Sequence, residues 1–94
     1  MKKQNGRKVI LITGCLGGIG SVMVDFFRRM DWFVIGTDKR ESFSNADIKI
    51  TTDLNNVVES TDHVLATIKE HKITHIDALI NNAAVQIKKK FEDL

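Results

Sequence analysis

The sequence predicts an α/β fold: a mostly parallel sheet flanked by helices, amounting to one half of a doubly wound fold. Three observations predict it. Four short apolar runs alternate with two stretches of helical periodicity, a glycine-rich segment joins the first run to the first helix, and an acid closes the second run.

Residues 9–12 are Val-Ile-Leu-Ile, apolar at every position as a strand covered on both faces requires. Over residues 18–30, Ile19, Val22, Met23, Phe26, Phe27 and Met30 recur at i, i+3, i+4 spacings, a stripe expected to face the sheet. Asp25, Arg28 and Arg29 fall on the side expected to be wet, and the two arginines near the helix end suit its dipole. Residues 32–35 read as a second buried strand, ending at Gly36-Thr37-Asp38, and residues 39–47 are a polar connection too short for another full helix across the sheet. Residues 48–51 alternate as a shorter third strand.

Asn55 or Asn56 can cap a second helix, with Val57, Val58, Val64, Leu65 and Ile68 as its expected stripe and an end near His71. Residues 76–80 form the fourth strand, Asn81-Asn82 begin a loop, and Phe91-Glu92-Asp93-Leu94 look like the opening of a further helix. Right-handed crossovers with strand order 3-2-1-4 put the two helices on opposite faces.

The composition bounds the rest. The 94 residues, 43% hydrophobic and 28% charged, suit one small domain over 1–94 and argue against disorder and low-complexity classes. A chain this short buries only roughly 60–65% of its unfolded surface, so its core is thin. One cysteine makes no internal disulfide, which suits a cytoplasmic protein. No apolar run approaches the ~20 residues of a membrane-spanning helix, and the run after the basic start is shorter than the ~7 of a signal-peptide core. A net charge of +2 is too small to imply nucleic acid or an anionic membrane as partner.

The chemistry concentrates at Thr13-Gly14-Cys15-Leu16-Gly17-Gly18-Ile19-Gly20, between the first strand and the first helix. A strand, a glycine loop and a helix in that order bring backbone N–H groups and the positive end of a helix to one point. Glycines let a pyrophosphate approach without a Cβ in the way. Asp38 follows 18 residues after Gly20, at the end of the second strand, where a carboxylate accepts hydrogen bonds from both ribose hydroxyls and repels a 2′-phosphate. No Gly-Lys-Ser/Thr is present, which argues against a nucleoside-triphosphate loop.

With these residues in place, the chain resembles the short-chain dehydrogenase/reductase family. Thr13-Gly14-x-x-x-Gly18-Ile19-Gly20 is similar to the family's cofactor loop. Asp53-Leu54 follows the third strand like the element that contacts the adenine ring. Asp77 to Ala84 resembles the Asn-Asn-Ala-Gly motif with its preceding Asp, and the Phe91–Leu94 segment resembles the start of the next helix. The resemblance runs from about Arg7 to Leu94 and implies a Rossmann-type fold binding a nicotinamide dinucleotide. In that reading Gly14, Leu16, Gly17, Gly18, Ile19 and Gly20 meet the pyrophosphate and Asp38 the adenosine ribose. Asp53 and Leu54 meet the adenine, while Asn82 and Ala83 line the floor near the ribose.

Asp38 and Gly17 favour NAD, whereas Lys39 and Arg40 can contact the 2′-phosphate of NADP if they turn inward. Two departures stand out. Ala84 replaces the usual glycine, and Gly14, Gly17 and Gly20 also match the spacing of the family's extended, epimerase-like branch. The family's catalysis rests on a Tyr-x-x-x-Lys pair with a Ser and an Asn beyond the fourth strand. This chain has no Tyr, so taken alone it is expected not to transfer hydride. The missing following helix would leave apolar faces of the fourth and first strands open, inviting self-association. The alternatives are a stand-alone, non-catalytic nucleotide-binding module and a fragment of a sugar-nucleotide epimerase or dehydratase.

Other residues carry weaker chemistry. Cys15, near a helix N-terminus, reads either as an activated thiol or as a small filler in the loop. His71 and His75 have an i, i+4 metal-binding spacing but no evident third ligand. His63 reads as a helix-surface residue, Lys88 to Lys90 as solvated charge, and Trp32, Phe26, Phe27 and Phe33 as core.

Overall fold

The computed structural model describes residues 6–82. Their elements run β1 (Val9–Thr13), α1 (Gly18–Arg29), β2 (Phe33–Asp38), β3 (Ile48–Thr51), α2 (Val57–Glu70) and β4 (Ala78–Asn81). The strands form one parallel sheet in the order β3-β2-β1-β4, as the crossover rule predicts for helices on both faces. Ala83, Ala84, Lys88 to Lys90 and the Phe91–Leu94 segment lie outside the described residues.

Strand alternation divides the core in two. Val9, Phe33, Ile35, Ile48 and Ile50 point to one face, where Ile73, Val64 and Ile68 pack on them. Ile10, Ile12 and Val34 point to the other and meet Val24, Met23 and Phe27 of α1. The β1–β4 pairing is pinned at its entrance, since Asp77 Oδ2 accepts from Val9 N at 2.7 Å while Asp77 N donates to Val9 O at 2.8 Å.

Both helix stripes differ from the sequence expectation. On α1, Ile19, Val22, Phe26 and Met30 are more than half exposed, and the residues against the sheet are Gly20, Met23, Val24 and Phe27. The spacing is still i, i+3, i+4, i+7, shifted by about one position. Gly20 causes the shift: without a Cβ it lets the helix settle on the loop below, and that contact fixes the rotation. Asp25 and Arg28 are also drawn out of solvent, because Asn45 accepts from Arg28 Nη1 and donates to Asp25 Oδ1. On α2, Val57, Val58 and Leu65 face outward, while Ser60, Val64 and Ile68 form the inner line. Ser60 tolerates burial because its hydroxyl donates to Val57 O at 3.2 Å. Leu79 of the edge strand is 63% exposed.

The helices end alike. Asp31 (φ 63°) and Lys72 (φ 57°) take the left-handed conformation, and the next residues, Trp32 and Ile73, donate N–H to Phe27 O and Ile68 O. This is the Schellman arrangement, with apolar contact between the residues it joins; Phe27 and Trp32 pack ring to ring at 5.2 Å. Glycine avoids the left-handed strain. Asp31→Gly is therefore expected to raise stability by about 0.5–1 kcal/mol, the relief exceeding the added freedom of the unfolded chain. A urea midpoint that fell on this substitution would show that the Asp31 side chain offsets its own strain.

Candidate functional site

The site lies beyond the carboxyl ends of β1, β2 and β4. At the end of β1, Gly14 turns the chain with φ 67°, and Gly17 N donates back to Gly14 O at 3.1 Å. Gly17 is the N-cap of α1, extended and with no side-chain capping bond. By contrast, α2 is capped by Asn56, whose Oδ1 accepts from Glu59 N at 3.4 Å. The first N–H groups of α1 are thus left to a partner from outside, with the positive end of the helix dipole behind them.

Neighbouring strands hold the loop on both sides. From β2, Thr37 O accepts from Cys15 N at 3.0 Å, and Asp38 Oδ2 accepts from Leu16 N at 3.0 Å. From the β4 side, Asn82 N donates to Thr13 Oγ1 at 2.9 Å and Asn82 Nδ2 to Gly14 O at 3.4 Å. The Thr13 hydroxyl also donates to Asn81 Oδ1 at 3.0 Å, so one side chain ties the β1 end to both asparagines. Two glycines permit the close fit. A Cβ on Gly20 would lie 2.0 Å from Gly14 O, and one on Gly36 would lie 2.7 Å from the Cys15 Cβ.

Cys15 is accordingly a filler seated over Gly36. It is 1% exposed, and burial pushes its thiol pKa up, away from the activated thiol that a helix N-terminus can produce.

Asp38, 6% exposed, is the principal charge of the site. The Arg40 guanidinium holds its carboxyl far below the usual carboxylate range, with further donation from the Arg40 and Leu16 N–H groups outweighing burial. Thr52 N donates to Asp38 O at 3.0 Å and leads into Asp53, whose Oδ1 accepts from Asn55 N at 2.9 Å.

These pieces surround one pocket. Of the residues expected at a cofactor site, Gly14, Gly17, Asp38, Lys39, Asp53, Leu54 and Asn82 line it. Four others sit elsewhere: Leu16 supplies its N–H to Asp38 and packs into the core, Gly20 is buried beneath the loop, Gly18 is exposed at the helix start, and the Ile19 side chain points to solvent. Ala83 lies outside the described residues.

Thr37, Arg40, Thr52 and Asn55 also line the pocket. Thr13 and Thr37 carried a legible signal, each being a hydroxyl at the carboxyl end of an otherwise apolar run. Thr52 and Asn55 carried none. The two histidines do not converge: His71 Nδ1 is 2.9 Å from Thr67 O, whereas His75 Nε2 is 3.2 Å from Asp77 Oδ2. Among the described residues no group of three or more His, Cys, Asp or Glu is placed to hold a metal, and no helix is long and apolar enough to cross a membrane.

This fold and this loop define a Rossmann-type domain, and the family profile for short chain dehydrogenase matches residues 8–94. The chain belongs to that family. The ligand-free aldohexose dehydrogenase of Thermoplasma acidophilum is similar over 99% of this chain and 36% of its own, at 24% identity and a TM-score of 0.73. A short chain dehydrogenase from Leptospira borgpetersenii serovar Hardjo-bovis, solved with bound NAD+, is similar over 94% of this chain and 35% of its own, at 30% identity and a TM-score of 0.70. The chain thus spans about a third of the length of these structures. No curated protein matches it.

Proposed function

We propose that this chain is the dinucleotide-binding N-terminal part of a short-chain oxidoreductase that moves a hydride between a nicotinamide cofactor and an alcohol or carbonyl. The observation that carries the reading is the uncapped start of α1 beside a glycine loop, facing the buried Asp38 carboxylate across one pocket. The residues fit such a ligand. A Cβ on Gly20 would stand 2.0 Å from Gly14 O, so helix and loop meet there backbone to backbone, and Thr37 Oγ1 is buried on the pocket wall with no hydrogen-bond partner. The NAD+ bound in the Leptospira structure supports the same reading.

In this assignment the N–H groups of the 17–20 turn receive the pyrophosphate, Asp38 accepts from the adenosine ribose, and Asp53 and Leu54 flank the adenine. Asn82, at the pocket wall, lines the ribose floor in the same assignment. NAD is the cofactor that Asp38 favours. When bound, the nicotinamide supplies the hydride chemistry; the described residues bind and orient it. The family match is to short chain dehydrogenases, which favours this reading over an epimerase or a stand-alone module.

Thermal unfolding of the 94-residue chain with added NAD+ tests the proposal. Saturation at about 100 times the dissociation constant stabilises the folded state by about 2.7 kcal/mol, a shift of several degrees. An unchanged midpoint at millimolar NAD+ and NADP+ would remove the dinucleotide reading.

A further inference from the structure

Thr13 and Thr37 stand in register at the carboxyl ends of β1 and β2. The Thr13 hydroxyl donates to Asn81 Oδ1 at 3.0 Å and accepts from Asn82 N at 2.9 Å, so its hydrogen bonding is met. Thr37 differs. It is 1% exposed, and its Oγ1 has no hydrogen-bond partner among the described residues. The Thr37 carbonyl is engaged, accepting from Cys15 N, so only the hydroxyl is left over. A buried hydroxyl without a partner destabilises the chain that carries it, and valine would fill the same volume without that cost.

The place of this hydroxyl limits what can meet it. Alternation along β2 puts Thr37 on the face of Phe33 and Ile35, whereas the Asp38 side chain points to the other face and meets Leu16 N. The pocket reaches both residues. The turn Thr52 to Asn55 leads from β3 onto the Thr37 face, where α2 packs through Val64 and Ile68, and this turn lines the pocket as well. Between the strand ends and this turn lies the part of the pocket assigned above to the adenine.

We propose that the Thr37 hydroxyl is a binding residue for the adenine base, donating its proton to a ring nitrogen. The inference rests on the pocket being the dinucleotide site. Adenine carries an amino donor and ring-nitrogen acceptors along its edges. The ionised carboxylates of Asp38 and Asp53 only accept, so they cannot serve a ring nitrogen, whereas a hydroxyl can donate to one. The base then supplies the partner that Thr37 lacks in the free protein. The unmet hydroxyl thus weakens the empty site and strengthens the filled one.

Calorimetric titration of the 94-residue chain with NAD+, AMP and nicotinamide mononucleotide tests this, comparing wild type with Thr37→Val and Thr37→Ser where all three are folded. Thr37→Val is expected to raise the thermal midpoint of the free chain, because it removes an unsatisfied buried group. The same variant is expected to weaken NAD+ and AMP by about 3- to 10-fold each, the scale of one neutral hydrogen bond. Nicotinamide mononucleotide has no adenine, so its affinity stays unchanged. Thr37→Ser keeps the hydroxyl and retains NAD+ affinity. A purely structural hydroxyl would give the reverse pattern, a less stable Thr37→Val that binds NAD+ as wild type does. That result, or an equal loss for nicotinamide mononucleotide, overturns the proposal while the pocket reading stands. If wild type binds neither NAD+ nor AMP, the pocket reading fails and this inference with it.

Discussion

Gly20→Ala is expected to destabilise the chain by about 3 kcal/mol or more and to abolish dinucleotide binding. The added Cβ would stand 2.0 Å from Gly14 O, a backbone atom, and 2.9 Å from Asn82 Nδ2. Neither the loop nor the helix can yield alone, because Gly14 is tied to Gly17 and to Asn82. Two effects oppose each other here. Alanine is the better helix former by up to about 1 kcal/mol, but an overlap of more than 1 Å with backbone is the larger effect.

Gly18→Ala separates them, since a Cβ there meets nothing within 4 Å. It is expected to leave stability unchanged or raise it by a few tenths of a kcal/mol. Urea unfolding of the two variants is the measurement. Equal midpoints would mean that α1 can move off the loop without loss.

Asp38→Ala is expected to cost about 1–3 kcal/mol at neutral pH, because it strands the Leu16 N–H donor that ties the glycine loop to β2. It is also expected to weaken NAD+ binding at least about 10-fold, the scale of a lost charge-assisted contact. The pH dependence has a definite sign. Arg40 lowers the folded-state pKa of Asp38 below that of the unfolded chain. The stability Asp38 contributes is then present in full above the ordinary carboxylate pKa and is lost as pH falls toward the folded value. The gap in unfolding free energy between wild type and Asp38→Ala should hold from pH 8 to about 5, then shrink steadily below about pH 4. A gap that widened on acidification would contradict the assignment of the Asp38–Arg40 pair.

Much of the fold was legible because its signals are local. The run Val9 to Ile12 reads as a strand from four adjacent residues, and the third strand, Ile48–Thr51, is found at its expected limits. Residue 56 caps α2 because an asparagine there reaches a backbone N–H three positions on. The faces of the helices were less legible. Ile19, Val22, Phe26 and Met30 satisfy helical spacing as well as the true inner line does, so periodicity does not choose between two adjacent apolar stripes. The choice falls to Gly20, and its reason lies in Gly14, six residues earlier. For α2 the deciding residue is Ser60, a polar side chain that hydropathy assigns to the outside and an internal hydrogen bond brings in.

The site divides in the same way. By itself the sequence determined the succession of strands and helices, the glycine turn between the first pair, and the placing of an acid at the end of the second strand. These follow from neighbours along the chain and from spacing. Only the tertiary structure decided that Asn82 donates to Gly14 O across 68 residues, that Cys15 fills the space over Gly36, and that Arg40 turns inward onto Asp38. Each of these is a distance between side chains or backbones brought together by the parallel sheet. Such distances depend on strand register and helix rotation, which no short stretch of sequence specifies.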